Sequence, residues 1–518
     1  MASFSADGKN LAYVPGFKWQ DAWKRYRGGQ AYSIWIGQMS DSKVYEIPRK
    51  GWNDSYPMWV GNKIYFLSDP KGPVGLNSYD LDTKRVTEEV PGNGFDLKSA
   101  SAGPGAIVYE KLGSINLFDL KTRATARVNI NIRGDFPEVR TQFKAIGTQL
   151  TGASISPSGQ RAVVAARGWV ATIPAAKGDA RFVSSTQGVH RRDPSWSPDG
   201  KTISYITDEG GKQQLALFDT ATSTTRMMNL GDSPAYYYGS GQSYWSPDSS
   251  KIAYTDNRNK LWILDIASGK NTQVDQTTFT DPNVSMIARW SPDSKWITYA
   301  RDLDSHMQAV FVYSLDSGKR TQITDGLSLA KSPVFDKNGK YLYFYASTNA
   351  GPATSWLDMS SMTNPVVLSS VYCIVLRKDL PNPLSPESDE EVVATPPGAE
   401  PAKKADEPKF TIDLDDIDHR IITLPMATAE YRELVPATAG ALFALASPAH
   451  VNPQAPSPLL MASKWTMADR KSTPFGIVGS VTTTPDGMKA LISGLGGLQI
   501  VSTMAPFGPG AGAIDIDS

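Results

Sequence analysis

The sequence predicts an all-β fold made of two β-propellers, on three observations. A motif that joins a turn to a strand recurs along the chain, most plainly as WSPDGKTISYIT (196–207), WSPDSSKIAYTD (245–256) and WSPDSKWITYAR (290–301). Its turn residues lie 41, 49, 45 and 45 residues apart, at Gly159, Gly200, Ser249, Ser294 and Gly339. Further apolar runs follow each motif, so one repeat supplies three or four antiparallel strands. Four-stranded propeller blades repeat every 40–50 residues or about that.

The physical chemistry of one copy explains the motif. In Ser-Pro-Asp-Gly the proline stands at the second turn position, where its restricted φ suits a type I turn, and the glycine stands at the fourth. Alternating apolar residues follow, such as Ile203 and Tyr205, which is typical of a half-buried strand. One small sheet cannot bury both faces, whereas sheets stacked around an axis can. We interpret the tryptophans that recur in one register as packing between adjacent blades rather than as a ligand cage: Trp196, Trp245 and Trp290.

The repeats divide unevenly along the chain. Seven turns follow residue 150: the five above, one near Gly440 and one at Gly487. Three repeats precede residue 130, with strands at 9–14, 62–69 and 106–110. Three blades cannot close a ring, and propellers usually have four to eight blades. We therefore expect a partial first propeller of about three blades and a second propeller of seven, rather than one large ring.

These counts predict the domain boundaries. Residues 1–133 form the partial first propeller, 134–151 the crossover and 152–504 the second propeller. Inside the second propeller, residues 381–408 hold seven prolines and no aromatic residue, and we expect a disordered loop there. The Gly- and Pro-rich segment 505–518 is expected to be an exit linker to something that follows.

Composition excludes several classes of partner. Lys plus Arg and Asp plus Glu both number 52, so the net charge is zero and no nucleic-acid partner is expected. No run of eighteen apolar residues predicts a membrane span. The N-terminus is not a signal peptide, because it lacks a basic start followed by an apolar run. Cys373 is the single cysteine, which rules out an internal disulfide, and its apolar surroundings predict a buried thiol.

The chain offers no catalytic residues of its own. Of the four histidines, His190, His306, His419 and His450, none stands in a nucleophile context. The nearest approach to a nucleophile elbow is GDSPA (231–235), which lacks the final glycine. The acidic run 413–418 lacks the glycine and terminal glutamate of a calcium loop, so we expect neither a metal nor a cofactor.

Two basic clusters are candidates for substrate binding. Arg25 and Arg27 lie in WKRYRGG (23–29), which would be either a basic rim that attracts peptide or a structural turn, the interpretation that we favour. Arg191 and Arg192 begin a blade. Arg192 would either pair with a local acid such as Asp193 or line a channel and bind a peptide carboxylate.

Several segments resemble tricorn proteases. The segment AWKRYRGGQAYSIWI (22–36) resembles their first propeller, and WVGNKIYFLSDPKG (59–72) continues the likeness. Later segments resemble bacterial members, including IVLRKDLPNPLSPESDEE (374–391) and IDLDDIDHRIITLP (412–425). One WSPDG motif would be weak, because many propellers share it. The order of these blocks is specific, and the likeness covers almost the whole chain.

The resemblance implies an origin and a role. Tricorn proteases are large serine peptidases that assemble as homohexamers, with blades of the PD40/TolB type. Their two propellers are proposed to gate the passage of oligopeptides toward catalytic domains further along the chain. The sequence matches the latter half of the first propeller and all of the second, so we expect a non-catalytic propeller region whose partners are peptides and other domains of the peptidase.

Two alternatives stay open at this stage. One is a stand-alone, TolB-like interaction module, and the other is a propeller with its own active site in the axial channel. Archaeal members are cytoplasmic, so we expect the cytoplasm. The periplasm is the alternative if an export signal precedes residue 1.

Overall fold

The computed structural model shows an all-β chain that divides into two compact units, Met1–Gln142 and Phe143–Ser518. The residues that it describes are 1–16, 25–29, 31–140, 142, 145–147, 149–184, 186–231, 244–256, 258–278, 286–348, 367–387, 410–448, 459–508 and 510–516. Among these, no helix has the length and apolar character needed to span a bilayer.

The first unit holds three sheets of four antiparallel strands within its described residues. Sheet 1 contains β1 Ala2–Phe4, β2 Asn10–Tyr13, β3 Trp35–Gln38 and β4 Val44–Glu46. Sheet 2 contains β5 Ser55–Val60, β6 Lys63–Ser68, β7 Gly75–Asp80 and β8 Val86–Val90. Sheet 3 contains β9 Lys98–Gly103, β10 Ala106–Lys111, β11 Ser114–Asp119 and β12 Thr125–Arg127. One turn of 3₁₀ helix follows at Pro137–Val139.

The second unit holds seven sheets within its described residues. Sheet 4 contains β13 Leu150–Ile155, β14 Arg161–Ala166, β15 Trp169–Pro174 and β16 Arg181–Phe182. Sheet 5 contains β17 Arg191–Trp196, β18 Thr202–Thr207, β19 Gln214–Asp219 and β20 Thr225–Met228. Sheet 6 contains β21 Tyr244–Trp245, β22 Lys251–Thr255, β23 Lys260–Asp265 and β24 Asn271–Gln276. Sheet 7 contains β25 Arg289–Trp290, β26 Trp296–Asp302, β27 Gln308–Ser314 and β28 Lys319–Gln322. Sheet 8 contains β29 Leu329–Phe335, β30 Tyr341–Ser347, β31 Ser370–Val375 and β32 Ile421–Thr423. Sheet 9 contains β33 Tyr431–Pro436, β34 Ala441–Ala446, β35 Leu460–Thr466 and β36 Lys471–Val478. Sheet 10 contains β37 Ser480–Thr483, β38 Lys489–Gly494 and β39 Gly497–Ser502. A 3₁₀ turn, Ile417–Arg420, precedes β32.

Each sheet is a meander in which every strand pairs with the next one along the chain. The hydrophobic core lies between successive sheets, because alternate residues of the second and third strands point to opposite neighbours. One such cluster joins Val163 and Val170 of sheet 4 to Ile203 and Tyr205 of sheet 5. The predicted all-β propeller fold is confirmed, and the domain boundaries and the number of blades in each ring stay predictions.

The Ser-Pro-Asp turns have the geometry that their sequence predicts. In sheet 5 the Ser197 hydroxyl donates to Asp199 at 2.7 Å and accepts the Thr202 N–H at 2.9 Å, which closes the turn between β17 and β18. Gly200 has a φ of +77°, a conformation that glycine adopts without strain. The equivalent residue of sheet 6, Ser249, also has a positive φ of +60°, and its hydroxyl accepts the Asp199 N–H at 3.0 Å. This turn therefore also ties one sheet to the next.

Two of the three recurrent tryptophans bond to the neighbouring sheet, as packing between sheets predicts. The indole N–H of Trp245 donates to the Ser204 hydroxyl of sheet 5 at 3.0 Å. That of Trp290 donates to the carbonyl oxygen of Tyr244 in sheet 6, also at 3.0 Å. These bonds satisfy the one polar group of each of the two indoles.

Sheet 10 packs against sheet 4, the first sheet of the same unit. Leu491 and Leu498 form one buried cluster with Ile155 and Val164. The Lys489 ammonium donates to the carbonyl oxygen of Ser158 at 3.1 Å. The first and last sheets of the second unit are therefore in direct contact.

The segments predicted to be an exit linker and a disordered loop are partly described by the structure. In 505–518, the predicted exit linker, Phe507 contacts Phe475 edge-on at 5.2 Å, and Ala513 pairs with Gln499 of β39. The buried Ile514 donates its N–H to the Leu498 carbonyl oxygen, so this part packs on sheet 10, and its role as an exit linker stays a prediction. Of the predicted loop 381–408, residues 388–408 lie outside the described residues.

Candidate functional site

A cavity of about 470 Å³ lies at the centre of the second unit. The first strand of every sheet from 4 to 10, or the residue just before it, contributes to the wall. First strands that converge on one space are what sheets stacked around an axis produce. Its volume falls within the range of about 300–1,000 Å³ that is usual for sites of small ligands.

The wall is largely apolar and aromatic. Trp196, Trp245, Trp290 and Phe335 occupy equivalent positions at the ends of their strands and line the cavity. The turns that follow the first strands also line it, through Pro157, Pro198, Pro247, Pro292 and Pro485. These rigid rings leave little conformational freedom in the wall, so a bound chain would meet a preformed surface.

One ion pair interrupts the apolar wall. Arg289 Nη2 lies 3.1 Å from Glu433 Oε1, and the Arg289 guanidinium lies over the Tyr244 ring, 4.4 Å from its centroid. Burial raises the pKa of Glu433, although the Arg289 charge acts in the opposite direction. The Glu433 side chain is 37% exposed, but it faces the cavity, where the surrounding sheets still desolvate it.

A second cation stands at a turn of the same wall. Lys337 occupies in sheet 8 the turn position that proline takes in sheet 5, and its ammonium donates to the Thr484 carbonyl oxygen at 2.8 Å. Burial lowers the pKa of Lys337 to about 8, although Asp486 and Asp336 both act to raise it. A lysine that is partly neutral near physiological pH therefore faces the cavity.

Arg191 and Arg192 do not line this cavity. Arg191 is fully buried, donates to the Thr186 carbonyl oxygen at 3.1 Å and lies 3.8 Å from Glu209. Arg192 pairs with Asp193 and donates to Gln213 at 3.2 Å. The contact between Arg192 and Asp193 is the local pairing that we expect from the sequence. A substrate-binding role for either arginine remains a prediction.

Arg25 and Arg27 belong to the first unit. Arg27 Nη1 donates to both carboxylate oxygens of Asp69, at 3.2 and 3.1 Å, and its guanidinium lies over the Trp52 ring. Arg25 is 3.9 Å from Asp96 and 46% exposed. The favoured interpretation of this segment as a structural turn fits Arg27, and peptide binding by the pair remains a prediction.

Two of the described histidines contact acidic residues. His190 is exposed and takes part through its backbone N–H, which donates to Asp208 at 2.7 Å. His419 is 80% exposed, 4.0 Å from Asp418. His450 and residues 232–235 of the GDSPA segment lie outside the described residues. Within the described part of the chain, no group of three His, Cys, Asp or Glu residues could hold a metal ion.

The charged residues of the cavity escaped the sequence analysis. Arg289 immediately precedes a repeat tryptophan, where the neighbouring repeats have Ser195 and Tyr244. Lys337 replaces the turn proline in the same way. Aligning the repeats and marking charged residues at otherwise uncharged inner positions would have found both residues. Their partners are more than 140 residues away in the sequence and could not have been found by that means.

Comparison with known proteins agrees with this architecture. Residues 150–503 match the model of the tricorn protease second β-propeller domain, and residues 1–124 match that of the tricorn protease N-terminal β-propeller domain. Tricorn protease homolog 1 of Streptomyces coelicolor is 25% identical over 497 residues, which are 92% of this chain and 46% of that protein. The tricorn protease homolog of Saccharolobus solfataricus is 24% identical over 85% of this chain and 38% of its own length.

A solved structure has the same fold. The crystal structure of the tricorn protease superimposes with a TM-score of 0.55 at 20% identity, over 96% of this chain and 47% of that one. The chain thus spans less than half the length of these relatives. Because the second-propeller model alone covers more than half of the sequence, the chain belongs to the tricorn protease family.

Proposed function

We propose that this chain is the non-catalytic propeller region of a tricorn-type serine peptidase and that the central cavity of its second unit admits oligopeptides. The observation that carries the proposal is the cavity itself, whose wall is built from the first strand of every described sheet of that unit. Peptidase activity is a property that the relatives carry in their names, and it is the context in which the cavity would work.

The chemistry of the wall suits an extended peptide. Aromatic rings such as Trp196 and Trp290 offer flat apolar surface that accepts varied side chains. Ser195 and Thr482 bring hydroxyl groups to the same wall, and these can bind peptide backbone groups without selecting for sequence. A surface of this kind would filter by width and extended shape rather than by one preferred residue.

The proposal includes partners and a compartment. The chain would act beside helical, PDZ-like and catalytic domains of the same peptidase, within a homohexamer, and in the cytoplasm, with the periplasm as the alternative. Oligopeptides would pass through the cavity as substrates or products. Nucleic acid and membranes are not among the proposed partners.

Blocking the cavity tests the proposal directly. Thr482 is a half-buried wall residue, and Thr482→Trp would place an indole in the cavity. The matched control is Thr225→Trp, an exposed position on the outer strand β20. Isothermal titration calorimetry with N-acetyl-hexaalanine that ends in a free carboxylate should show binding to the unsubstituted chain and to the control, with at least about a tenfold loss for Thr482→Trp.

Activity of the isolated chain gives a second readout. We expect no hydrolysis of aminomethylcoumarin peptides by the purified protein. Inhibitor-sensitive turnover by the clean chain would contradict the non-catalytic role. Equal peptide binding by Thr482→Trp and Thr225→Trp would contradict the channel role, and a folded protein that binds no peptide would favour an interaction module.

A further inference from the structure

We propose that the first unit is half of a β-propeller ring and that a second copy of this chain closes it, so that two chains together build one ring of six sheets. The contact surfaces are the outer faces of the two end sheets, sheet 1 and sheet 3. Peptide passage through the cavity of the second unit plays no part in this contact, so either proposal can fail while the other stands.

Each sheet of the first unit has two different faces. Successive residues of a strand point to opposite faces, so adjacent residues of β6 contact different neighbours. Phe66 lies in one buried cluster with Ile36 of sheet 1, whereas the Tyr65 ring lies 6.4 Å from the Phe118 ring of sheet 3. We call the face that a sheet turns to the preceding sheet its leading face, and the face that it turns to the following sheet its trailing face. Sheet 2, in the middle, has both faces buried in this way.

The leading face of sheet 1 is apolar and partly open to solvent. Leu11 and Tyr13 of β2 correspond to Ile64 and Phe66 of β6, counted from the turn that precedes each strand. Ile64 and Phe66 are fully buried against sheet 1, whereas Leu11 and Tyr13 are only half-buried. Phe4 lies opposite Leu11 in the register of sheet 1 and is 57% exposed. This face therefore has the residues of a contact between sheets without the burial that such a contact gives.

The trailing face of sheet 3 shows the same feature. Val108 and Ile115 correspond to Tyr65 and Leu76, which sheet 2 buries against sheet 3. Tyr65 is 5% exposed and Leu76 is fully buried, whereas Val108 is 37% and Ile115 41% exposed. Leu117 lies opposite Val108 and extends the same face. The row of three sheets thus ends in an apolar face on both sides.

The two open faces match each other as buried faces of this unit already do. Where sheet 1 meets sheet 2, the trailing face supplies aliphatic residues such as Ile36, and the leading face supplies Phe66 and Tyr79. The open trailing face of sheet 3 is likewise aliphatic, and the open leading face of sheet 1 carries the rings of Tyr13 and Trp35. A second copy of this chain therefore offers each open face the kind of face that it fits.

The number of sheets allows closure. Three sheets cannot form a ring, whereas propellers usually have four to eight blades, so two sets of three fall within that range. If a twofold axis relates the copies, the trailing face of each meets the leading face of the other, and all four open faces are buried at once. Any other single partner would have to supply both kinds of face. This chain carries both, and we therefore favour a second copy as the occupant.

The area involved suits a reversible dimer. A face of four strands, each about five residues long, measures roughly 19 by 17 Å, or about 300 Å². Four such faces come to roughly 1,200 Å², at the lower end of the range for specific interfaces. We therefore expect a dissociation constant of about 1–10 µM.

Sedimentation velocity of the whole chain between about 0.1 and 100 µM measures this association. The protein should shift from one chain to two over this range and should form no larger species. Val108→Glu places a charge on the trailing face of sheet 3 and should weaken the dimer at least about tenfold. The matched control is Val86→Glu, because Val86 is 38% exposed in the outer strand of sheet 2, which lies between sheets 1 and 3. The control should dimerise like the unsubstituted chain.

Phe4→Glu tests the leading face of sheet 1 and should weaken the dimer to a similar extent. An equimolar mixture of Phe4→Glu and Val108→Glu can form a mixed dimer in which one of the two contacts carries neither substitution. The mixture should therefore associate more strongly than either variant alone, which a contact between two identical faces would not do. Circular dichroism shows whether each variant is folded, and Ile115→Glu on the trailing face replaces Val108→Glu if that protein is unfolded.

Three outcomes overturn the proposal. A protein that stays a single chain up to about 100 µM excludes the second copy, and the two faces then belong to a segment or partner that brings its own sheets. A dimer that neither Phe4→Glu nor Val108→Glu weakens has its contact elsewhere. Growth into longer polymers means that the faces pair without closing a ring of six sheets. In each of these cases the proposed channel of the second unit still stands or falls with its own test, Thr482→Trp.

Discussion

Asp69 is buried beneath Arg27, which donates to both of its carboxylate oxygens, at 3.2 and 3.1 Å. Asn53 donates to the same two oxygens through its backbone N–H at 3.0 Å and its side-chain amide at 2.8 Å. The Asp69 side chain is 3% exposed, so these donors take the place of water around a buried charge. The segment before sheet 1's third strand is thereby attached to sheet 2.

Arg27→Met should destabilise the first unit because it leaves the Asp69 charge with the Asn53 donors alone. We expect a loss of about 1–3 kcal/mol, reduced by the partial exposure of Arg27. This loss in the free energy of unfolding is measured by urea titration, with hydrogen exchange at the Asn53 amide as the local probe. Arg25→Met is the matched control, with an expected change within about 0.5 kcal/mol. A peptide-binding defect in Arg27→Met without loss of stability would favour the substrate-binding prediction instead.

Lys337 should react with acylating reagents at lower pH than an ordinary lysine. Burial lowers the pKa of Lys337 from 10.5 to about 8. At pH 8 its amine is therefore neutral and nucleophilic in about half of the molecules. Competitive acetylation read out by mass spectrometry should give a midpoint near pH 8. Asp486→Asn removes a charge that raises this pKa while keeping the side-chain oxygen that accepts the Met488 N–H. The midpoint should therefore fall further, and a rise would contradict the assignment.

Asp54 should make the stability of the first unit depend on pH. Burial raises its pKa from 3.8 to about 6, so the folded state holds the proton more tightly than the unfolded chain does. Protonated Asp54 therefore stabilises the folded state fully below pH 3.8, and this stabilisation is lost as the pH rises through about 6. The free energy of unfolding falls over this range by at most about 3 kcal/mol. Asp54→Asn cannot titrate, and its urea midpoint should change less between pH 4 and 6.5. Identical pH profiles for the two proteins would count against this prediction.

Leu491 should be required for contact between the first and last sheets of the second unit. It is 3% exposed and packs with Ile155 and Val164 of sheet 4. Leu491→Ala should cost about 2–5 kcal/mol through lost burial and the cavity that remains. Leu495 is 80% exposed in the turn of the same hairpin, so Leu495→Ala should change the unfolding free energy by less than about 0.5 kcal/mol. Similar effects of the two substitutions on thermal unfolding would show that this contact is unimportant.

The local features of the fold follow from the sequence because they depend on neighbours. Ser197 closes its turn on Asp199 and Thr202, all within six residues, and the same pattern recurs at Ser246 and Ser291. Alternating apolar residues specify which face of each strand is buried. Repetition of one such unit makes the propeller class readable without knowledge of any long-range contact.

The cavity could not be predicted in the same way. Arg289 and Glu433 are 144 residues apart, and Lys337 and Thr484 are 147 apart. The basic residues that stand out in the sequence, Arg27 and Arg192, instead pair with acids in the structure. The basic residues that the sequence singles out therefore do not line the cavity, whereas the charged residues that do line it stand within ordinary repeats.

The amino-acid sequence by itself determined the repeating unit, its strand pattern and the family, because turns and amphipathic strands are set by residues close together in the chain. Only the tertiary structure decided which repeats face one another across the cavity and which charges meet there. The physical reason is that sheets stacked around an axis bring together repeats that are far apart in the sequence. No local sequence pattern specifies which repeat lies on the other side of the cavity.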